Sequence, residues 1–209
     1  MVLDLDALRA QRCVAIIRAR SVEHFASTAA TLVQAGLNIL EFPLTTSGVL
    51  ASLPPIIEEL GPGACVGVGS VTTAESAVAA HRAGAAFLVT PNFDPAVIAY
   101  ARSVGLPVLA GAFTPTEVFA AWQAGATAVK LFPASVGGPG YVRELVAGPY
   151  PDIPLVPTGG VKLSEIPAYL AAGAVAFGLG GSLLASAPDG GPKDDLHARI
   201  LEYQAAVAN

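Results

Sequence analysis

The sequence predicts an α/β fold with a single domain over residues 1–209: a (β/α)8 TIM barrel with a short extra helix at its N-terminus. Two observations carry this expectation. A phrase recurs along the chain: a helical stretch, a small residue followed by glycine, then an apolar strand. It appears at Ala35-Gly36, Ala83-Gly84, Val104-Gly105, Ala124-Gly125 and Ala172-Gly173. Glycine just past a helix end takes the left-handed conformation that closes the helix, and copies about 20 residues apart, or a multiple of that, fit one α/β unit. The strands are also near-continuous apolar runs, as parallel strands buried on both faces require. A chain of 209 residues is long enough for eight such units. A doubly wound open sheet is the alternative arrangement of the same units.

In chain order, the extra helix is expected over 3–10 and strand one over 13–18, ending on Arg18. Ser21-Val22-Glu23 is a plausible helix start before strand two, 39–44. Strand three covers 65–71 and ends at Ser70-Val71. Strand four, 87–92, ends in Thr90-Pro91-Asn92, and Asp94-Pro95 opens the next helix. Strand five covers 107–113. Thr114-Pro115-Thr116-Glu117 then reads as a capping box with proline at the first helical position. Strand six, 128–134, contains Lys130. Strand seven, 155–160, ends in Thr158-Gly159-Gly160, Ser164-Glu165 starts a helix, and strand eight, 176–181, runs into Gly180-Gly181-Ser182.

Composition limits the function classes. The net charge of −5 argues against general affinity for nucleic acid or anionic membrane. Residues 166–188 are uncharged and long enough to span a bilayer, but Pro167, Gly173, Gly178, Gly180, Gly181 and Pro188 divide them into a helix, a strand and a glycine loop. The N-terminus has acids where a signal peptide needs bases. Cys13 and Cys65 lack paired spacing and read as buried free thiols of a cytoplasmic protein.

Lys130 lies in the apolar run Ala126 to Pro133, whereas Lys162 and Lys193, the other two lysines, lie in polar, turn-like surroundings. Burial strips an ammonium of water and favours the neutral, nucleophilic amine that a Schiff base requires. Glu41 is likewise a charge inside an apolar strand. Strands two and six face each other across an eight-stranded barrel, so Glu41 and Lys130 can meet inside it. They could form a structural ion pair, or Glu41 could move protons for a lysine imine. The glycines after strands seven and eight, Gly159, Gly160 and Gly181 with Ser182, suit a phosphate cradle of backbone amides. Arg18 would pair with a carboxylate or phosphate, although Arg20 nearby is a competitor. His24, His81 and His197 fall in outer helices, which leaves carboxylates too sparse for a metal site on the catalytic face, and no cofactor is expected.

On these segments the sequence resembles the 2-keto-3-deoxy-6-phosphogluconate (KDPG) and 4-hydroxy-2-oxoglutarate (KHG) aldolases. They include Ile17-Arg18, Leu40-Glu41-Phe42-Pro43-Leu44, Gly67-Val68-Gly69-Ser70, Val89-Thr90-Pro91-Asn92, Val129-Lys130-Leu131-Phe132-Pro133, Pro157-Thr158-Gly159-Gly160 and Gly180-Gly181-Ser182. The resemblance implies a class I lyase with Lys130 as Schiff-base lysine and Glu41 as general acid/base, acting through a water. It implies that Ser70, Pro91, Phe132 and Thr158 line the pyruvate end and that Gly159, Gly160, Gly181 and Ser182 hold the distal phosphate. It further implies a homotrimer acting on small keto acids, with pyruvate and a phosphate-bearing aldehyde as products. Two departures stand out. The arginine many members carry after the glutamate is missing from Leu44-Thr45-Thr46-Ser47, so Arg18 is the candidate replacement. Ser70 stands where the family has threonine. The galactonate-derived substrate, a phosphosugar isomerase or epimerase, and a non-catalytic phosphometabolite-binding protein are the competing readings.

Overall fold

The computed structural model of the chain describes residues 2–148 and 150–208. The first half runs α1 (Leu5–Gln11), β1 (Cys13–Ile16), α2 (Phe25–Gln34), β2 (Ile39–Pro43), α3 (Val49–Leu60), β3 (Cys65–Gly69), α4 (Ala74–Arg82), β4 (Leu88–Val89) and α5 (Pro95–Ser103). The second half runs β5 (Val108–Ala112), α6 (Pro115–Ala124), β6 (Ala128–Leu131), α7 (Ala134–Ala147), β7 (Leu155–Pro157), α8 (Ile166–Ala171), β8 (Phe177–Leu179), α9 (Gly181–Leu184) and α10 (Lys193–Ala208). The strands are parallel and ordered β7-β6-β5-β4-β3-β2-β1-β8. A bridge between Thr158 and Gly178 and a 3.0 Å bond from the Val175 N–H to the Leu155 carbonyl join the two ends. The ring is therefore a nearly closed (β/α)8 barrel, not an open sheet.

Strand alternation sorts the side chains into two layers. Cys13, Ala15, Leu40, Phe42, Val66, Val68, Leu88, Val129 and Leu155 point outward and pack under the helices. Val14, Ile39, Cys65, Phe87, Leu109, Ala128, Val156 and Ala176 point inward and form a separate cluster with Leu3 and Leu8. The extra N-terminal helix thus has a clear packing role: Leu8 and the preceding Leu3 plug one end of the barrel. Each buried leucine contributes about 1.5–3 kcal/mol. Asp4 caps α1, its carboxylate accepting from the Ala7 N–H at 2.7 Å.

The expected helix closures and caps are present. Gly36, Gly84, Gly105, Gly125 and Gly173 all have positive φ. Thr114 and Glu117 form a reciprocal capping box, and Asp94 accepts from the Ala96 and Val97 N–H groups. Two boundaries differ from expectation. Ser21-Val22-Glu23 does not open a helix; α2 begins at Phe25. The preceding loop is instead tethered by the Arg20 N–H, which donates to Asp189 at 2.9 Å. The strands are also shorter than their apolar runs. Left-handed φ at Ser70, Gly159 and Gly160 ends the extended backbone early, placing these residues in loops at the C-terminal mouth.

Candidate active site

Two steps along the strands from the inward apolar layer, the alternation places Glu41 above Ile39, Lys130 above Ala128 and Thr158 above Val156. All three sit among glycines: Gly67 and Gly69 on β3, Gly111 on β5 and Gly178 on β8. Those glycines make room for the polar groups. A β-carbon at Gly69 would collide with the Glu41 carboxyl, and one at Gly178 with the Thr158 hydroxyl. At Gly67 it would meet the Phe87 ring at 2.5 Å.

Glu41 is 2% exposed and Lys130 7%. Both line a cavity of 390 Å³, with Ile16, Arg18, Phe132, Thr158, Gly159, Gly160, Val161, Lys162, Gly178, Gly180, Gly181 and Ser182. They share this cavity without closing into a contact ion pair: the one salt bridge within 4.0 Å among the described residues joins Arg20 and Asp189. Burial pushes the Glu41 carboxyl above the usual carboxylate range, and the positive charges of Lys130 and Arg18 oppose that shift. The Lys130 ammonium lies 5.2 Å from the centre of the Phe132 ring, within cation–π range. A lysine and a carboxyl thus face one cavity, suited to nucleophilic attack and proton transfer at the same carbon skeleton.

The rim is built from loops. Arg18 lines the cavity while Arg20, 92% exposed in its side chain, turns away to Asp189. This separates two arginines that were equivalent in sequence. Arg18 sits beside Ala19, whose carbonyl accepts from the Thr46 hydroxyl at 2.8 Å. Thr46, in the segment lacking the family arginine, therefore ties the β1–α2 loop to the β2–α3 loop. On the opposite rim, the Ala134 and Ser135 N–H groups donate to the Thr158 and Gly159 carbonyls and hold the β7 loop. Gly160 needs its φ of +76°, and a β-carbon there would approach Ser135 to 2.6 Å. Among the described residues, the amides of Gly160, Gly181 and Ser182 donate to no backbone carbonyl. The Ser182 carbonyl accepts from Arg199 of α10 at 2.9 Å.

The structure therefore gathers Arg18, Glu41, Lys130, Phe132, Thr158, Gly159, Gly160, Gly181 and Ser182 around one cavity. Ser70 and Pro91 are not among its lining residues. Ser70 adopts φ +57° just past β3. Pro91 crosses beside Gly111, whose β-carbon it would block. Sequence reasoning missed Lys162 as a lining residue, although its place directly after Gly159-Gly160-Val161 was a usable signal. His81 and His197 lie in α4 and α10 as expected, whereas His24 stands just before α2. Among the described residues no group of three or more His, Cys, Asp or Glu side chains is placed to hold a metal ion. Cys13 and Cys65 are free and buried, and burial raises both thiols, Cys65 to about 11. Neither competes as a nucleophile near neutral pH. No helix among the described residues is long and apolar enough to cross a membrane.

Comparison with known proteins is consistent with this geometry. The profile of the KDPG and KHG aldolase family matches residues 5–196. The chain belongs to this family. It is an aldolase, a lyase acting on a carbon–carbon bond. It is 35% identical to the 2-dehydro-3-deoxy-6-phosphogalactonate aldolase of Escherichia coli K12 over 81% of this chain and 83% of that one. It is 32% identical to the 2-dehydro-3-deoxy-phosphogluconate aldolase of Dickeya dadantii over 96% and 94% of the two chains. The crystal structure of the 2-keto-3-deoxy-6-phosphogluconate aldolase from Zymomonas mobilis superposes with a TM-score of 0.84 at 26% identity, covering 97% of each chain.

Proposed function

We propose that this aldolase cleaves 2-keto-3-deoxy-6-phosphogluconate reversibly to pyruvate and glyceraldehyde 3-phosphate through a Schiff base on Lys130, with Glu41 as general acid/base. The observation that carries this reading is the enclosure of Lys130 and Glu41 in one cavity without a contact ion pair. A salt-bridged pair would hold each group in its charged form. Held apart on one cavity, both side chains can reach the same bound substrate.

The Lys130 amine adds to the C2 ketone, and Glu41 donates the proton with which the carbinolamine hydroxyl leaves as water, so that a protonated imine and the Glu41 carboxylate form together. That carboxylate then takes the proton of the C4 hydroxyl, directly or through one water. The C3–C4 bond breaks, its electrons pass into the imine as an enamine, and the aldehyde leaves. Glu41 returns the proton to C3, and water hydrolyses the resulting imine to release pyruvate and the free lysine. Phe132 and Thr158 form the wall beside the imine, with Ser70 and Pro91 in the loops behind it. Arg18 supplies positive charge to the substrate. The Gly160, Gly181 and Ser182 amides, with the Gly159 turn, receive the distal phosphate.

Likeness to the galactonate-type relative favours 2-keto-3-deoxy-6-phosphogalactonate as the second reading, and 4-hydroxy-2-oxoglutarate, giving pyruvate and glyoxylate, is a third. Comparing kcat/KM across these three acids decides between them. Borohydride with pyruvate should add a pyruvate-derived mass to Lys130, and Lys130→Ala should abolish that adduct. Unchanged trapping in the variant would remove Lys130 from the mechanism, and no adduct on the wild type would favour an isomerase or epimerase that uses Glu41 as base.

We further propose that the chain folds as a single barrel domain over residues 1–209 and assembles as a homotrimer. Exposed Phe119, stacked on Tyr150 at 5.8 Å, and Val136 at 70% exposure are apolar surface suited to burial between subunits. Light scattering should return three times the 21.0 kDa chain mass. Two free thiols fit a cytoplasmic setting.

A further inference from the structure

We propose that Lys162 is a specificity-determining residue of this cavity, a cation that selects acids carrying a phosphate at the end remote from the keto group. The inference rests on the aldolase reading above. Charge is distributed unevenly in this molecule. The chain carries −5 overall, yet Arg18, Lys130 and Lys162 all line one 390 Å³ cavity whose one acidic residue is Glu41. Burial favours the neutral form of Glu41, so Arg18 and Lys162 keep the cavity cationic within an anionic protein even while Lys130 reacts as an amine. Such a site draws in an anion of high charge.

The three basic side chains have different stations. Lys130 is deep, on β6, and Arg18 follows β1. Lys162 stands at the mouth, directly after the left-handed pair Gly159-Gly160 and Val161, on the rim that also presents the undonated amides of Gly160, Gly181 and Ser182. The Lys162 backbone is pinned: its N–H donates to Glu165 at 3.1 Å, and its carbonyl accepts from the Glu165 N–H at 3.0 Å. Its ammonium has no salt bridge within 4.0 Å among the described residues. The side chain is exposed and available to a ligand. Backbone amides offer only partial positive charge to an anion. A lysine beside them adds a full charge and favours the dianion.

Lys162→Ala and Lys162→Glu test this against 2-keto-3-deoxy-6-phosphogluconate and its unphosphorylated counterpart. The ratio of kcat/KM for the phosphorylated over the unphosphorylated acid should fall about tenfold in Lys162→Ala, mainly through KM, and further in Lys162→Glu. An unchanged ratio in both variants would overturn the proposal. Calorimetric titration with inorganic phosphate supplies a readout independent of turnover. Affinity should weaken in the order wild type, Ala, Glu, and equal affinities would again overturn it. Loss of the pyruvate adduct on wild-type Lys130 would count against the aldolase reading alone, because phosphate titration does not depend on it.

Discussion

Glu41 is costly to keep where it is, and that cost can be measured. Burial raises its pKa above the value in the unfolded chain, with Lys130 and Arg18 opposing the shift. The folded state therefore holds the Glu41 proton more tightly than the unfolded state. The stability this contributes is fully present below the unfolded pKa and is lost as pH rises through the folded pKa. Glu41→Gln, neutral at every pH, should melt higher than the wild type above that titration, with the gap closing as pH falls. The same variant should lose about 10²–10⁴-fold in kcat. If Glu41→Gln were no more stable than the wild type at alkaline pH, the carboxylate would have to be well solvated.

At the scale of the element, β3 is shaped around a residue on its neighbour. Its Val-Gly-Val-Gly pattern leaves an inward gap at Gly69 that the Glu41 carboxyl fills. Gly69→Ala should destabilise by about 1–3 kcal/mol and lower kcat by displacing Glu41, as followed by chemical denaturation and steady-state kinetics. Full activity would show that the position of this carboxyl is not critical. The loop tie at Thr46 makes a second prediction. Thr46→Val keeps the shape but removes the 2.8 Å bond to the Ala19 carbonyl, at about 1–3 kcal/mol for the group left unpaired. Because Arg18 precedes Ala19, KM should rise more than kcat falls. Equal effects on both constants would reduce Thr46 to a structural role.

For the whole molecule, the contrast between a net charge of −5 and a cationic cavity sets the salt response. The surface repels an anionic substrate while the cavity attracts it, and only the exposed part of that field is screened. Raising ionic strength from about 0.05 to about 0.5 M should shorten the Debye length severalfold. KM for the phosphorylated acid should then rise severalfold with kcat nearly constant. A KM independent of salt would place the dominant binding contacts in the uncharged part of the cavity.

The sequence alone determined the repeat, the parallel apolar strands, the helix closures at glycine and the anomaly of Lys130 and Glu41. Each depends on local chemistry: an αL requirement, a capping oxygen, or a charge in an apolar run. Strand alternation even placed the two charges inside the barrel once eight strands were counted. Tertiary structure decided what depends on side chains from distant segments. It chose Arg18 over Arg20, because Asp189 holds Arg20 away from the mouth. It left Ser70 and Pro91 out of the cavity lining and brought in Lys162; at Ser70 and at the Gly159-Gly160 pair before Lys162, left-handed turns redirect the chain just past the last ladder bonds. It also separated Glu41 from Lys130 by more than a contact pair. The distance between two side chains on opposite walls is set by the packing of every strand between them, which no local pattern records.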